Sequence, residues 1–447
     1  MTLASRMLLA GRTASSSGSD ASTVTGSVIA MSPAVPSSTS RSGRGTVDAG
    51  CRREVFNACT YTRDSGSVGH AMTAIVEKVG LDALLDALWQ RGYTVIGPTV
   101  RSQSIVYDEV HSADDLPAGW VDVQEGGTFR LRRSGDDTLF AHTVGHDSLK
   151  RFLFPPELRV WRARRTEDGT LEVDEPEPPP RYAFVGVRSC DLHAVAIQDR
   201  VFIGDRYVDP DYEGRRRDAF FVAVNCGRAG GTCFCSSMDT GPRVTAGFDL
   251  ALTEVLDERG HRFVVEVGSD RGAEVLDAVE HREADADEQR APDAAAERAR
   301  ASMGRMLDVT DIRDLLQANA EHPRWDDVAD RCLSCGNCTL VCPTCFCSTV
   351  EDTTDLAGGE TEHTRLWDSC FTLQHSYANG GSVRRSGRSR YRQWMTHKLS
   401  TWIDQFGSSG CVGCGRCITW CPVAIDITEE TAAIRASDVR EARRDDD

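Results

Sequence analysis

Apolar and polar positions take on a regular period only from about residue 68. Before it, Ser, Thr and Gly dominate and no apolar spacing holds, which predicts a disordered N-terminal extension over 1–67. Between Leu81 and Trp89 apolar residues recur at helical spacing. Tyr93–Ile96 and Ser104–Val110 read as strands. Phe152–Pro156 closes a further element, and the proline-rich 175–180 is a stiff connector. Tyr182–Val187 and Ala219–Val224 are short unbroken apolar runs, the pattern of strands buried on both faces. A helix-like segment, Asp191–Asp199, lies between them. Strands alternating with helices predict an α/β domain over 68–320, its sheet at least partly parallel. Residues 270–300 are acidic and Ala-rich and read as a solvated helix without chemistry. A frayed tail is expected over 436–447.

Composition changes this picture at one point. Among 447 residues there are 17 cysteines, far more than a cytosolic chain needs for packing. A net charge of −17 argues against non-specific binding to nucleic acid or an anionic membrane surface. No apolar run approaches the roughly 18 residues of a membrane helix. Met7–Ala10 is too short for a signal-peptide core, and no apolar core follows the Arg52–Arg53 pair. A cytoplasmic location is therefore expected, where thiols stay reduced and metal ligation is favoured over disulfides. Cys51 and Cys59 have no close partners and read as free surface thiols.

Two cysteine runs carry the strongest signal. Cys332, Cys335, Cys338 and Cys342 are followed by Pro343; Cys411, Cys414, Cys417 and Cys421 are followed by Pro422. Both have the C-x2-C-x2-C-x3-C-P spacing of bacterial ferredoxins. Three thiolates at intervals of three can be aimed by one tight loop at one face of a cuboidal cluster. The fourth is read as beginning a helical turn, which carries it to the other cluster. The spacing thus predicts one [4Fe-4S] cluster on Cys332, Cys335, Cys338 and Cys421, and a second on Cys411, Cys414, Cys417 and Cys342. Gly336, Gly413 and Gly415 would let backbone N–H groups approach the cluster sulfur. A bacterial-type dicluster ferredoxin-like α+β domain is expected over 321–435. Its two runs are separated by a long insertion, 343–410. That segment holds Cys345, Cys347 and Cys370, either packed around a cluster or serving ligand exchange or a further metal. It also holds a basic stretch, Arg384–Arg392, read as a solvated face, an internal pairing surface or a dock for an acidic partner.

A weaker constellation lies in the α/β domain. Cys190 and Cys226 each follow a predicted buried strand, and Cys233 and Cys235 follow on a Gly-rich loop. If the strands are parallel neighbours, Cys190 and Cys226 meet at their carboxyl ends, where open α/β sheets build sites. Four thiolates there would hold a third [4Fe-4S] cluster; a structural zinc or buried apolar cysteines are the alternatives. Gly227–Gly231 could instead cradle a phosphate, although it matches neither GxGxxG nor a P-loop. His70, His142, His146, His193 and His375 are isolated and read as structural. No paired nucleophile and base stands out, so no catalytic residue is assigned.

The segments Arg331–Cys347, Gly186–His193 and Asn225–Cys235 resemble the iron–sulfur β subunit of sulfhydrogenase-type, NADP-linked nickel–iron hydrogenases. They are similar also to the iron–sulfur subunit of the anaerobic sulfite reductase. The resemblance spans about 70–430. It implies a subunit relaying single electrons between two others: a flavoprotein subunit that binds NAD(P)H, and a separate catalytic one, nickel–iron or, in the sibling family, sirohaem. A self-contained flavin-binding reductase and a stand-alone ferredoxin-like carrier are the competing expectations.

Overall fold

The computed structural model describes residues 73–438, except 144, 175–177 and 205. The N-terminal extension with Cys51, Cys59, the Arg pair and His70 lies outside the described residues, as does 439–447. The main strands, in chain order, are β1 (Thr73–Glu77), β2 (Thr94–Arg101), β3 (Ser104–Glu109), β4 (Trp120–Glu125) and β5 (Thr128–Arg133). They continue as β6 (Glu157–Arg165), β7 (Leu171–Asp174), β8 (Tyr182–Val187), β9 (Phe220–Val224) and β10 (Leu250–Asp257). The last are β11 (Gly260–Val267), β12 (Arg282–Glu283), β13 (Ser348–Thr354) and β14 (Glu360–Trp367).

Eight strands form one sheet in the order β12-β1-β11-β10-β9-β8-β2-β3. Its middle, β10-β9-β8-β2, is parallel, and its flanks are antiparallel. The unbroken apolar run of β9 is buried along its whole length, as a strand covered on both faces requires. The helix Gly80–Gln90 buries Leu81, Leu84, Leu85 and Leu88, the stripe its spacing predicted. Each such leucine removes enough apolar surface to contribute about 1.5–3 kcal/mol. The helix Ser189–Phe202 begins immediately after β8, so Cys190 stands at the carboxyl edge of the sheet. No helix among the described residues is long and apolar enough to cross a membrane.

A second, four-stranded sheet runs β13-β14-β6-β7. Its middle pair joins Glu157–Arg165 to residues between the two cysteine runs, with Leu366 opposite Glu157 and Glu360 opposite Arg164. Residues 348–367 are therefore shared with the earlier part of the chain. Residues 270–300 differ from the expected single solvated helix. Two helices, Asp270–Leu276 and Ala291–Ala301, are separated by β12 and a short turn. Glu288 in that turn is buried between Arg262 and Arg282. The acidic composition concealed a carboxylate whose burial is compensated by two guanidinium groups.

Candidate metal centre

The two cysteine runs fold alike. In each, the residue two beyond the first cysteine has positive φ (Ser334 +50°, Gly413 +64°), as does the residue four beyond it (Gly336 +77°, Gly415 +75°). A one-turn helix follows, Asn337–Leu340 or Arg416–Thr419. The third cysteine, not the fourth, lies in that turn; Cys342 and Cys421 follow it. Beyond the turn, Cys421 neighbours the thiols of the first run and Cys342 those of the second. Backbone N–H groups point at sulfur: Ser334 N to Cys332 Sγ at 3.4 Å, Gly413 N to Cys411 Sγ at 3.4 Å, and Ile425 N to Cys421 Sγ at 3.3 Å.

Cys332, Cys335 and Cys338 line one hollow together with Cys421, and Cys417 also lines it. Burial pushes the Cys338 thiol well up, and the neighbouring thiols of Cys332, Cys335 and Cys421 add to it. Burial likewise raises Cys417, with Cys411, Cys414 and Cys342 as near neighbours. Cys411 is pushed up to about 12 by burial. The Cys421 thiol thus stands near those of the first run and the Cys342 thiol near those of the second, and Cys417 also neighbours Cys338. The four thiols around the first hollow are an all-sulfur donor set that suits an iron–sulfur group.

Buried cations offset the sulfur charge. Lys78, Lys150 and Lys398 are the only lysines in the chain, and the last two are buried here. Lys398 Nζ donates to Cys342 Sγ at 3.1 Å and to Thr344 Oγ1 at 3.1 Å. Burial alone would lower its pKa; the Cys342, Cys345 and Cys411 thiols outweigh that and hold the ammonium charged. Lys150 lies over the Trp367 ring at 3.9 Å and donates to Thr339 O and Leu340 O. Arg416, between Cys414 and Cys417, pairs with Asp191 at 2.9 Å, both buried. This ion pair ties the second cysteine run to the residue after Cys190.

The weaker constellation assembles at the same place. β8 and β9 are parallel neighbours, with Val187 opposite Ala223, so their carboxyl ends deliver Cys190 and Cys226 to one edge. Cys235 has Cys233, Cys226 and Cys414 as thiol neighbours, and Cys190 has Cys235 and Cys414. Burial raises Cys190 and Cys235 well up and Cys233 to about 12. Arg188 reaches Cys226 and donates to Phe140 O and His142 O. His142 beside it is buried, with neither ring nitrogen hydrogen-bonded. The Gly-rich loop is clamped to the second cysteine run: Phe234 N donates to Gly413 O at 2.8 Å, and Thr232 meets Thr419 at 2.7 Å. A Cβ on Gly415 would lie 2.2 Å from Thr232 O, and one on Gly413 2.6 Å from Phe234 O. These glycines thus also make room for this loop, a reason not visible in the run itself. Within the loop, Gly231 is closed off by β4, since a Cβ there would lie 2.2 Å from Gln124 O, whereas Gly227 faces open space.

Other expectations resolve less simply. Arg388 and Arg392 pair with Glu321, and Arg388 also with Asp326, so the basic stretch is partly an internal pairing surface. His146 packs edge-on to Trp420. His375 is not isolated: it bonds Asp368 at 3.0 Å and reaches Cys347, which also meets Cys370. The only sequence signal for this group was three cysteines outside the two runs. Cys345 sits against Cys342.

Comparison with known proteins agrees with this geometry. The model of a 4Fe-4S dicluster domain family matches residues 331–425. Sulfhydrogenase 2 subunit beta of Pyrococcus furiosus is 32% identical over 340 residues, which cover 74% of this chain and 89% of that protein. No solved structure matches the chain. The C-terminal part is therefore a 4Fe-4S dicluster ferredoxin-type region, preceded by a mixed α/β region. The chain belongs to the family of sulfhydrogenase beta subunits.

Proposed function

We propose that this chain is the cytoplasmic electron-transfer subunit of a nickel–iron hydrogenase complex. It relays single electrons between a flavoprotein, NAD(P)H-linked partner and the catalytic subunit. The observation that carries the reading is the continuity of three thiol groups. Cys332, Cys335, Cys338 and Cys421 surround one hollow, with Cys417 of the next group in its wall. Cys411, Cys414, Cys417 and Cys342 form that next group, and Cys414 in turn borders Cys190, Cys233 and Cys235. Each group would hold one [4Fe-4S] cluster, the third completed by Cys226. Such clusters exchange one electron at a time, which lets a flavin divide a hydride pair.

The chain's own residues hold and tune the path. The Cys-loop N–H groups donate to ligand sulfur, Lys398 places a positive charge on Cys342, and the Asp191–Arg416 pair joins the second group to the third. Residues 68–320 act as the α/β domain carrying the third cluster. Residues 321–435 act as the dicluster domain, with 343–410 inserted between its two halves. The test is anaerobic purification of the tagged chain from its native host. Nickel- and flavin-containing subunits should co-purify, and hydrogen gas should bring up the EPR signals of reduced clusters. A chain that purifies alone, or with a sirohaem protein, refutes the hydrogenase assignment.

A further inference from the structure

The chain between the two cysteine runs carries a charge opposite to that of the whole. There are 68 acidic residues in the chain, yet none falls within 369–403, which holds Arg384, Arg385, Arg388, Arg390, Arg392 and Lys398. Lys398 is buried against Cys342, and Arg388 and Arg392 pair with Glu321. Arg385 and Arg390 are held differently. Arg385 Nε donates to Ser382 O at 3.2 Å, and Arg390 Nη2 donates to Ser334 Oγ at 3.2 Å. These acceptors are neutral, so the bonds fix the guanidinium groups without cancelling their charge. The bond from Arg390 also ends on the first cysteine loop, between Cys332 and Cys335.

Apolar side chains come to the surface at the same place. Phe371 and Tyr391 line the first hollow beside Leu333 and Cys335, so the chain leaves the wall of the hollow at one and returns to it at the other. Between them a short hairpin pairs Tyr377 with Ser382 and Ala378 with Gly381. Val383 N then donates to Ser376 O at 2.9 Å and Arg384 N to Ser376 Oγ at 3.1 Å, which pins the basic residues to the hairpin. Leu333, Tyr377 and Val383 are 63%, 63% and 72% exposed. Among the described cysteines, Cys335 is the exposed one. The first group is also an end of the thiol path, since it borders the second group through Cys417 and the third lies beyond that.

We propose that this face docks a small acidic electron-carrier protein, which exchanges single electrons with the first group on the Cys335 side. Its carboxylates would meet Arg384, Arg385 and Arg390, and its apolar residues Leu333, Tyr377 and Val383. The step is one electron per encounter: the reduced carrier is oxidised, the first cluster is reduced, and no bond forms or breaks. This deepens the relay reading and rests on it for the cluster itself. Two features favour a passing carrier over a permanent subunit. Permanent interfaces have apolar cores depleted of charge, whereas separate apolar side chains among uncancelled cations suit the small polar contacts of redox encounters. A chain of net charge −17 repels an acidic protein over the rest of its surface, so one basic face orients the encounter and raises its rate.

The experiment uses the whole complex, purified without oxygen. A chemically reduced acidic [2Fe-2S] ferredoxin is mixed with it in a stopped-flow cell, and cluster reduction is followed by absorbance. The second-order rate constant should fall at least about tenfold between about 20 and about 300 mM NaCl. Arg384→Glu with Arg385→Glu should slow it at least about tenfold at low salt. Arg290→Glu with Arg300→Glu, an equal change of charge on exposed residues of the α/β domain, should slow it less than about twofold. Photoreduction by neutral deazariboflavin, and iron per chain, should be the same in all three proteins. A rate indifferent to salt, or slowed equally by both pairs of substitutions, overturns the proposal and leaves the relay reading intact. Loss of a co-purifying subunit from the Arg384, Arg385 variant also overturns it, because the face would then be a permanent interface. If deazariboflavin reduces no cluster in the unaltered complex, the relay reading fails and the proposal falls with it.

Discussion

Replacing Lys398 by Met removes a buried positive charge while keeping the length of the side chain. In the folded chain Nζ stands 3.1 Å from Cys342 Sγ and makes a second bond to Thr344 Oγ1. Reduction adds a negative charge to the group that Cys342 would ligate, so the ammonium stabilises the reduced form more than the oxidised one. If the added electron lies on average about twice the Nζ–Sγ separation away, an effective dielectric of about 20 gives roughly 2.7 kcal/mol. For one electron that is about 120 mV, since a tenfold change in equilibrium is 59 mV. Relaxation and entering water would reduce it, so a fall of about 50–120 mV in one potential is expected, the others moving little. An EPR-monitored redox titration of the anaerobic protein reads this directly. An unchanged potential, or one that rises, would refute the placement of the charge against Cys342 or the role of Cys342 as a ligand.

Three other perturbations have definite outcomes. Arg416→Met leaves Asp191, 1% exposed, with the Tyr107 hydroxyl at 3.4 Å but without its cation; unpairing a buried charge costs about 3–5 kcal/mol. Denaturant unfolding should show that loss, and Arg416→Met with Asp191→Leu should recover most of it. Gly415→Ala puts a methyl 2.2 Å from Thr232 O at φ +75°. The left-handed strain alone costs about 1–2 kcal/mol, so thermal unfolding should fall by at least that amount and the Cys233–Cys235 loop should become protease-sensitive. Glu288 is held down at about 2, by Arg282 first and Arg262 after burial is overcome. A carboxylate depressed on folding contributes stability that is present above its unfolded pKa of about 4.3 and is lost as pH falls through the folded value. Glu288→Gln should therefore flatten the acid limb of the stability curve between about pH 5 and 2; an unchanged limb would contradict the ion-pair account.

What the sequence discloses is set by range. The Leu81–Trp89 stripe and the apolar runs of β8 and β9 are local patterns, and they fold as read. The ferredoxin spacing is also local, and each fourth cysteine stands near the thiols of the opposite run, although the helical turn sits one cysteine earlier than expected. Pairings between distant segments have no such signal. Nothing in Glu157–Arg165 announces that it will pair with Glu360–Leu366. Glu288 reads as one acidic residue among many until Arg262, on β11, is brought over it. His375 is 28 residues from Cys347 and reads as an isolated histidine until the β13–β14 ladder sets Asp368 opposite Cys347. Gly413 and Gly415 were legible as glycines that a tight cysteine loop needs; that they also accommodate the Thr232–Cys235 loop depends on the meeting of two regions.

The central claim is that three thiol groups form one continuous electron path, the third on Cys190, Cys226, Cys233 and Cys235. Its most direct test is iron and acid-labile sulfide per chain on protein purified without oxygen, beside a Cys190→Ser, Cys226→Ser double variant. The account predicts about twelve irons, falling to about eight in the variant. About eight in both would contradict it, leaving a dicluster ferredoxin region on an α/β scaffold in which these cysteines are only packed.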